Sequence, residues 1–192
     1  MKFIFLAAGK GERIFKKINK NKCLLELKNK TLIENSIDEV LKTGIKKIVV
    51  VTGFSSRKLV KKLRKYRNIK FIYNKKYNSK EMLYSLILAL KKNNDDIIFG
   101  YSDIIFSYKT IRKIITKSRK NITIPILCNW KKIWKIRNKD PYRDAETLFI
   151  SNSMRLISIG EKIKKINKIK YQFMGITYIP KSKRNKVINF YD

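Results

Sequence analysis

Apolar runs of strand length, separated by stretches with helix signals, constrain this chain more than any other feature. Residues 2–8 (KFIFLAA) are apolar at nearly every position, 45–52 (IKKIVVVT) ends in a β-branched run, and 96–99 (DIIF) is a third such segment. A strand that is apolar on both of its sides has to be covered on both faces, as in the interior of a parallel sheet. Between these runs, Thr31 followed by Glu34 reads as a capping box for a helix to about Lys42, with Gly44 placed to end it. Ser55 or Ser56 is predicted to cap a basic helix over 57–66. Residues 80–92 (KEMLYSLILALKK) form an amphipathic helix, and another follows Ser107. Further strands are predicted at 70–73, 122–127, 146–151, 155–159 and 171–179. Strand–helix alternation joined by right-handed crossovers implies an α/β fold: a Rossmann-like, three-layer domain with a mainly parallel central sheet. No repeat, low-complexity segment or Pro/Gly-rich linker divides the 192 residues, so one domain over 1–192 is expected. In such sheets ligands bind beyond the carboxyl ends of the strands.

Composition removes several chemistries. The chain has no histidine, which excludes Ser-His-Asp and Cys-His catalysis and disfavours a catalytic zinc site. Catalysis must rest on Lys, Arg, carboxylates, hydroxyls, backbone amides and hard metal ions. Cys23 and Cys128 lie far apart in apolar sequence and are expected to be buried thiols rather than a disulfide. The apolar stretch at 3–8 is shorter than the ~7–15 residues of a secretory h-region, and no run approaches the ~18 of a membrane span. The expectation is a soluble cytoplasmic protein without membrane insertion. A net charge of +33 invites a nucleic-acid reading. The basic residues, however, run from Lys2 to Lys186 rather than gathering in one tail or helix. They accompany abundant Ile, Asn, Tyr and Phe, whose codons are AT-rich, so nonspecific polyanion binding is expected and specific recognition is not.

The first strand ends in LAAGKGER (6–13). Gly9 and Gly11 let backbone amides approach an anion, Arg13 can fork onto phosphate oxygens, and Lys22 adds a point charge. Neither the dinucleotide-binding G-x-G-x-x-G nor a Walker A spacing is present. On its own this is a weak signal that a glycine turn with solvated cations would also produce.

With NKCLLEL following at 21–27, the segment resembles the L-A-A-G-x-G-x-R…P-K-x-L signature of the nucleotidyltransferase superfamily. The likeness continues through Thr31–Glu34, Val51–Phe54, Asn74 with Tyr77, Met82–Leu86, Ala89 and Tyr101–Asp103. Trp130, Trp134 and the segment 140–146 (DPYRDAE) look most like cytidylyltransferases for phosphocholine and 2-aminoethylphosphonate. The resemblance implies transfer of CMP from CTP to such an acceptor with release of pyrophosphate. Gly9, Gly11 and Arg13 would hold the β- and γ-phosphates, Lys22 the α-phosphate charge, and Asp103 a Mg²⁺ ion. The base would meet the backbone of Leu6, Ala7 and Ala8, and Ser85. The acceptor's cationic head would meet Trp130 and Trp134, with Asp144 and Glu146 supplying opposite charge. The resemblance also leaves a homodimer open.

Each assignment has a structural rival. Asp103 can serve the start of the helix after Ser107; Ser85 can be a small buried residue; Trp130 and Trp134, at i,i+4, can be core. Asp144 and Glu146, expected on one strand face, can be solvated edge charges. Asn21 replaces the family's usual proline, which is expected to loosen the loop. Family members also run on past the equivalent of 172–178 to a further metal-holding acid, so the domain reads as shortened. The alternatives are a sugar-1-phosphate nucleotidyltransferase and a basic nucleic-acid-associated protein without catalysis.

Overall fold

The computed structural model describes residues 1–11, 21–79, 81–118, 120–137, 139–161 and 169–191, with the side chains of 137, 143 and 144 set aside. Two compact units emerge, one formed by Met1–Thr123 with Gly175–Asp192 and the other by Ile124–Met174.

The first unit is built on a five-stranded sheet. Its strands are β1 (Lys2–Ala7), β4 (Ile48–Thr52), β5 (Ile69–Tyr73), β6 (Ile97–Tyr101) and β11 (Ile176–Ile179), in the order β11-β6-β1-β4-β5, while β2 (Glu26–Leu27) and β3 (Lys30–Thr31) form a separate antiparallel ribbon. Four strands are parallel, and only β11 runs antiparallel, beside β6. The register pairs Ala7 with Thr52, Thr52 with Tyr73 and Leu6 with Tyr101, so four carboxyl ends share one edge.

Period-two alternation along the buried strands feeds two cores. Phe3, Phe5, Ile48 and Val50 pack with residues of helices α1 (Leu32–Leu41), α2 (Ser56–Leu63) and α4 (Tyr108–Lys117). Ile4, Leu6, Val49 and Val51 pack with α3 (Met82–Lys91) and α6 (Lys181–Tyr191). This is the three-layer arrangement that the double-sided apolar strands require.

Local signals explain most boundaries. At α1 the capping box is complete, with Thr31 Oγ1 accepting from the Glu34 N–H and the Glu34 carboxylate from the Thr31 N–H. Ser107 caps α4 through the Lys109 N–H. At α2 the expected serine cap is not made. Ser55 takes the N-cap position at φ +55° without a side-chain bond, while the Ser56 hydroxyl turns back to Thr52 Oγ1 at 2.9 Å. The strand expected at 122–127 shrinks to an isolated pairing of Thr123 with Tyr178 and a two-residue β7 (Ile126–Leu127). The strand expected at 171–179 divides at Gly175, with φ +73°, into β10 (Gln172–Phe173) and β11.

In the second unit, β7 pairs antiparallel with β10, helix α5 spans Trp130–Arg137, and a 3₁₀ turn spans Pro141–Asp144. A bulged hairpin joins β8 (Leu148–Ile150) to β9 (Leu156–Ile159). Cys23 is buried as expected, but Cys128 is exposed. It follows a two-residue strand, in the turn before α5.

Candidate active site

A cleft of about 260 Å³ opens beyond the shared carboxyl edge of the sheet. Its wall on the β1 side is the chain from Leu6 through Ala7, Ala8 and Gly9 to Gly11. Gly11 adopts φ +64°, a left-handed turn that a side chain would strain. The loop is anchored to the next strand exit by the Phe54 N–H, which donates to the Ala8 carbonyl at 2.9 Å. Gly53 makes that approach possible, because a Cβ there would lie 2.7 Å from the Ala8 oxygen and 2.5 Å from the Tyr77 Cβ. Arg13 lies outside the described residues.

Lys22 begins a short 3₁₀ turn, Lys22–Leu24, and reaches Asp103, just beyond β6, in an ion pair of 2.7 Å. Both residues line the cleft. The start of α4 does not use Asp103, since Ser107 and the Glu39 carboxylate, which accepts from the Tyr108 N–H at 2.6 Å, hold it instead. Asn21 stands where the family pattern has proline. Its φ of −64° is the value a proline would impose, its side-chain oxygen accepts from the Cys23 N–H, and its amide reaches the Phe54 carbonyl. Cys23 sits on the cleft floor, where burial pushes its thiol up to about 12, against a Ser102 hydrogen bond that lowers it. It is therefore a neutral filler, not a nucleophile.

On the other side, Ser85 lies on α3 facing the cleft and is almost fully buried. The Asn74 amide donates to its hydroxyl at 2.9 Å. Asn74, Tyr77, Asn21 and Ser102 also line the cleft, and sequence pattern gives them no role. The available signal for Asn74 was an Asn directly after a strand, where its side chain bonds the backbone two residues on.

The remaining expected site residues belong to the second unit. Trp130 is fully buried and meets Trp134 edge to face at 6.0 Å and Tyr142 at 5.7 Å. The Lys131 ammonium lies 5.9 Å from the Trp130 ring and 5.4 Å from the Tyr142 ring. Asp144 and Glu146 do not alternate on a strand. Asp144 ends the 3₁₀ turn led by Pro141, and its side chain lies outside what is described. Glu146 is exposed just before β8, and Gln172 clamps its backbone by accepting from its N–H and donating to its carbonyl. Among the described residues no three His, Cys, Asp or Glu side chains gather as a metal cluster. No described helix is long and apolar enough to cross a membrane.

A model of the MobA-like NTP transferase domain matches residues 3–134. The chain is 32% identical to a CTP:phosphoglutamine cytidylyltransferase of Campylobacter jejuni, across all of this chain and 78% of the relative. It is 26% identical to a choline-phosphate cytidylyltransferase of Streptococcus pneumoniae, across 82% of this chain and 68% of the other. In fold it is similar to an inositol-1-phosphate CTP transferase from T. maritima, with a TM-score of 0.75 and 18% identity. That likeness covers 96% of this chain and 72% of the other.

Proposed function

The chain belongs to the family of MobA-like NTP transferase domains, and from that membership we propose that it transfers the cytidylyl group of CTP to a small phosphorylated acceptor. The observation that carries the reading is the Lys22–Asp103 pair, set in the same cleft as the glycine loop beyond β1. An ionised acceptor oxygen attacks the α-phosphorus in line. The new O–P bond forms as the bond to the bridging oxygen breaks, and that electron pair leaves on pyrophosphate. The nucleophile needs no base, which suits a chain without histidine. The protein contributes position and charge. Backbone amides at Gly9 and Gly11, with Arg13, take the β- and γ-phosphates; Lys22 faces the charge developing at the α-phosphate; Leu6–Ala8 and Ser85 meet the base. Asp103 would hold Mg²⁺. One hard carboxylate, with triphosphate oxygens and water completing the shell, suits an ion that keeps much of its hydration. When bound, the ion neutralises triphosphate charge.

For the acceptor, a phosphorylated amide of the phosphoglutamine kind stands ahead of phosphocholine and 2-aminoethylphosphonate. Lys131 already occupies the approach to Trp130 and Tyr142, where a trimethylammonium group would need an open aromatic face. Exposed Glu146 suits an amino-acid ammonium. The test is pyrophosphate release from CTP, UTP, ATP and GTP with phosphoglutamine, phosphocholine, 2-aminoethylphosphonate and glucose 1-phosphate. CTP with phosphoglutamine should give the highest kcat/KM. Faster use of glucose 1-phosphate would move the assignment to sugar-phosphate chemistry, and no release with any pairing would remove it.

A further inference from the structure

Asn74 is buried to within 1% exposure directly after β5, and its polar atoms are fixed from three directions. Its N–H donates to the Thr52 carbonyl at 2.8 Å, and its side-chain oxygen accepts from the Lys76 N–H at 2.8 Å. A backbone N–H can only donate, so the amide cannot be reversed: the oxygen faces Lys76 and the nitrogen faces Ser85, 2.9 Å away. The Ser85 hydroxyl is thus an acceptor toward Asn74, and its own hydrogen must go elsewhere. Among the described residues neither that hydrogen nor the second amide hydrogen of Asn74 is given to a protein acceptor, and both residues line the cleft. At this point of the cleft wall two donors, the Ser85 hydroxyl and the second Asn74 amide hydrogen, are left for a ligand.

We propose that Asn74 is the positioning residue that makes this cleft select cytosine over uracil, by fixing the Ser85 hydroxyl as a donor. The inference rests on the nucleotidyltransfer reading and deepens it. Cytosine carries two adjacent acceptors on its ring edge, O2 and unprotonated N3. In uracil N3 bears a hydrogen, so a uracil placed the same way sets donor against donor and leaves buried polar groups unpaired. Sites built on buried hydrogen bonds reject mismatched partners more strongly than sites built on shape.

The decisive variant is Asn74→Asp. It keeps the shape and the bond from Lys76, but it offers Ser85 an acceptor where the wild type offers a donor. The serine hydrogen then turns to the aspartate, and a lone pair faces the cleft. CTP and UTP affinities are measured by calorimetry with Mg²⁺ and no acceptor, on folded full-length protein. The wild type should favour CTP, and in Asn74→Asp the CTP/UTP ratio should fall at least about tenfold. General weakening from the added charge affects both nucleotides and cancels in the ratio. A ratio within about twofold of wild type would overturn the proposal. Should that variant not fold, Ser85→Ala serves: CTP should weaken by about tenfold and UTP by much less, and equal losses would overturn the proposal. A wild type that binds no nucleoside triphosphate would instead sink the nucleotidyltransfer reading, so the two failures are distinguishable.

Discussion

Lys22 and Asp103 come from segments far apart in sequence, and their side chains are 43% and 24% exposed where they meet. A pair this open contributes about 0–1 kcal/mol to stability, whereas a preorganised cation at developing phosphate charge is worth about 10²–10³-fold in turnover. Lys22→Ala should accordingly lose turnover on that scale at saturating CTP while melting close to wild type. Near-normal turnover would remove Lys22 from the chemistry. Asp103→Asn should abolish the response of turnover to added Mg²⁺ and leave the fold intact, because Ser107 and Glu39 hold the start of α4 without it. A variant that melts early yet keeps full activity per folded molecule would make Asp103 structural. At this scale the charged candidates were legible through the family likeness, since glycines and cations beyond a strand are by themselves also what a solvated turn shows. The neutral ones were not. Asn21 reads as a defect against a proline pattern, although its backbone angle is one a proline would take and its side chain bonds the Cys23 N–H and the Phe54 carbonyl. Asn74 enters only as part of the family likeness, because nothing local reveals that its amide meets the Ser85 hydroxyl.

Helix α1 shows what capping contributes at the scale of one element. Burial of the Glu34 carboxyl opposes its ionisation, but the Lys65 ammonium 2.7 Å away and two Thr31 bonds outweigh that and hold it below its ordinary value of 4.5. The folded protein therefore binds fewer protons here than the unfolded chain. The stabilisation is fully present above the unfolded value and is lost as pH falls through the folded one. Glu39 and Asp95 are displaced in the same direction by Lys42 and Lys2. In urea unfolding between about pH 3 and 6, the stability of Glu34→Gln should fall less steeply with acid than that of wild type. Identical acid limbs would show that Glu34 does not govern this transition. Thr31→Ala should cost about 1 kcal/mol, the ordinary worth of such a cap. The capping box and the strands apolar on both sides were readable because their signals are local. The strand expected at 171–179 was not, because its division at Gly175 depends on β11 pairing with β6 and β10 with β7.

Over the whole molecule, charge and family likeness divide the chain differently. The matched span of 3–134 takes in the glycine loop, Lys22, Ser85 and Asp103, but it ends within α5, leaving most of the second unit outside. That is why the transfer chemistry was legible while the acceptor was not. Charge, by contrast, is global: 47 Lys and Arg stand against 14 acids. Added salt weakens both the ion pairs and the mutual repulsion of the excess cations. Ion pairs such as Lys30–Asp38 and Lys42–Glu39 engage largely exposed lysines, each pair worth about 0–1 kcal/mol. The repulsion is summed over a net +33 and reaches far at low salt, where the screening length is about 30 Å at 0.01 M against about 8 Å at 0.15 M. Repulsion should win. The melting temperature should therefore rise with sodium chloride over this range, and the protein should adhere to any polyanion at low salt regardless of sequence, releasing it as salt increases. Thermal melts across the salt series, paired with binding to two unrelated single-stranded DNAs, check both effects. A melting temperature that falls with salt would mean the ion pairs outweigh the repulsion, and a strong preference between the two DNAs would restore specific nucleic-acid recognition.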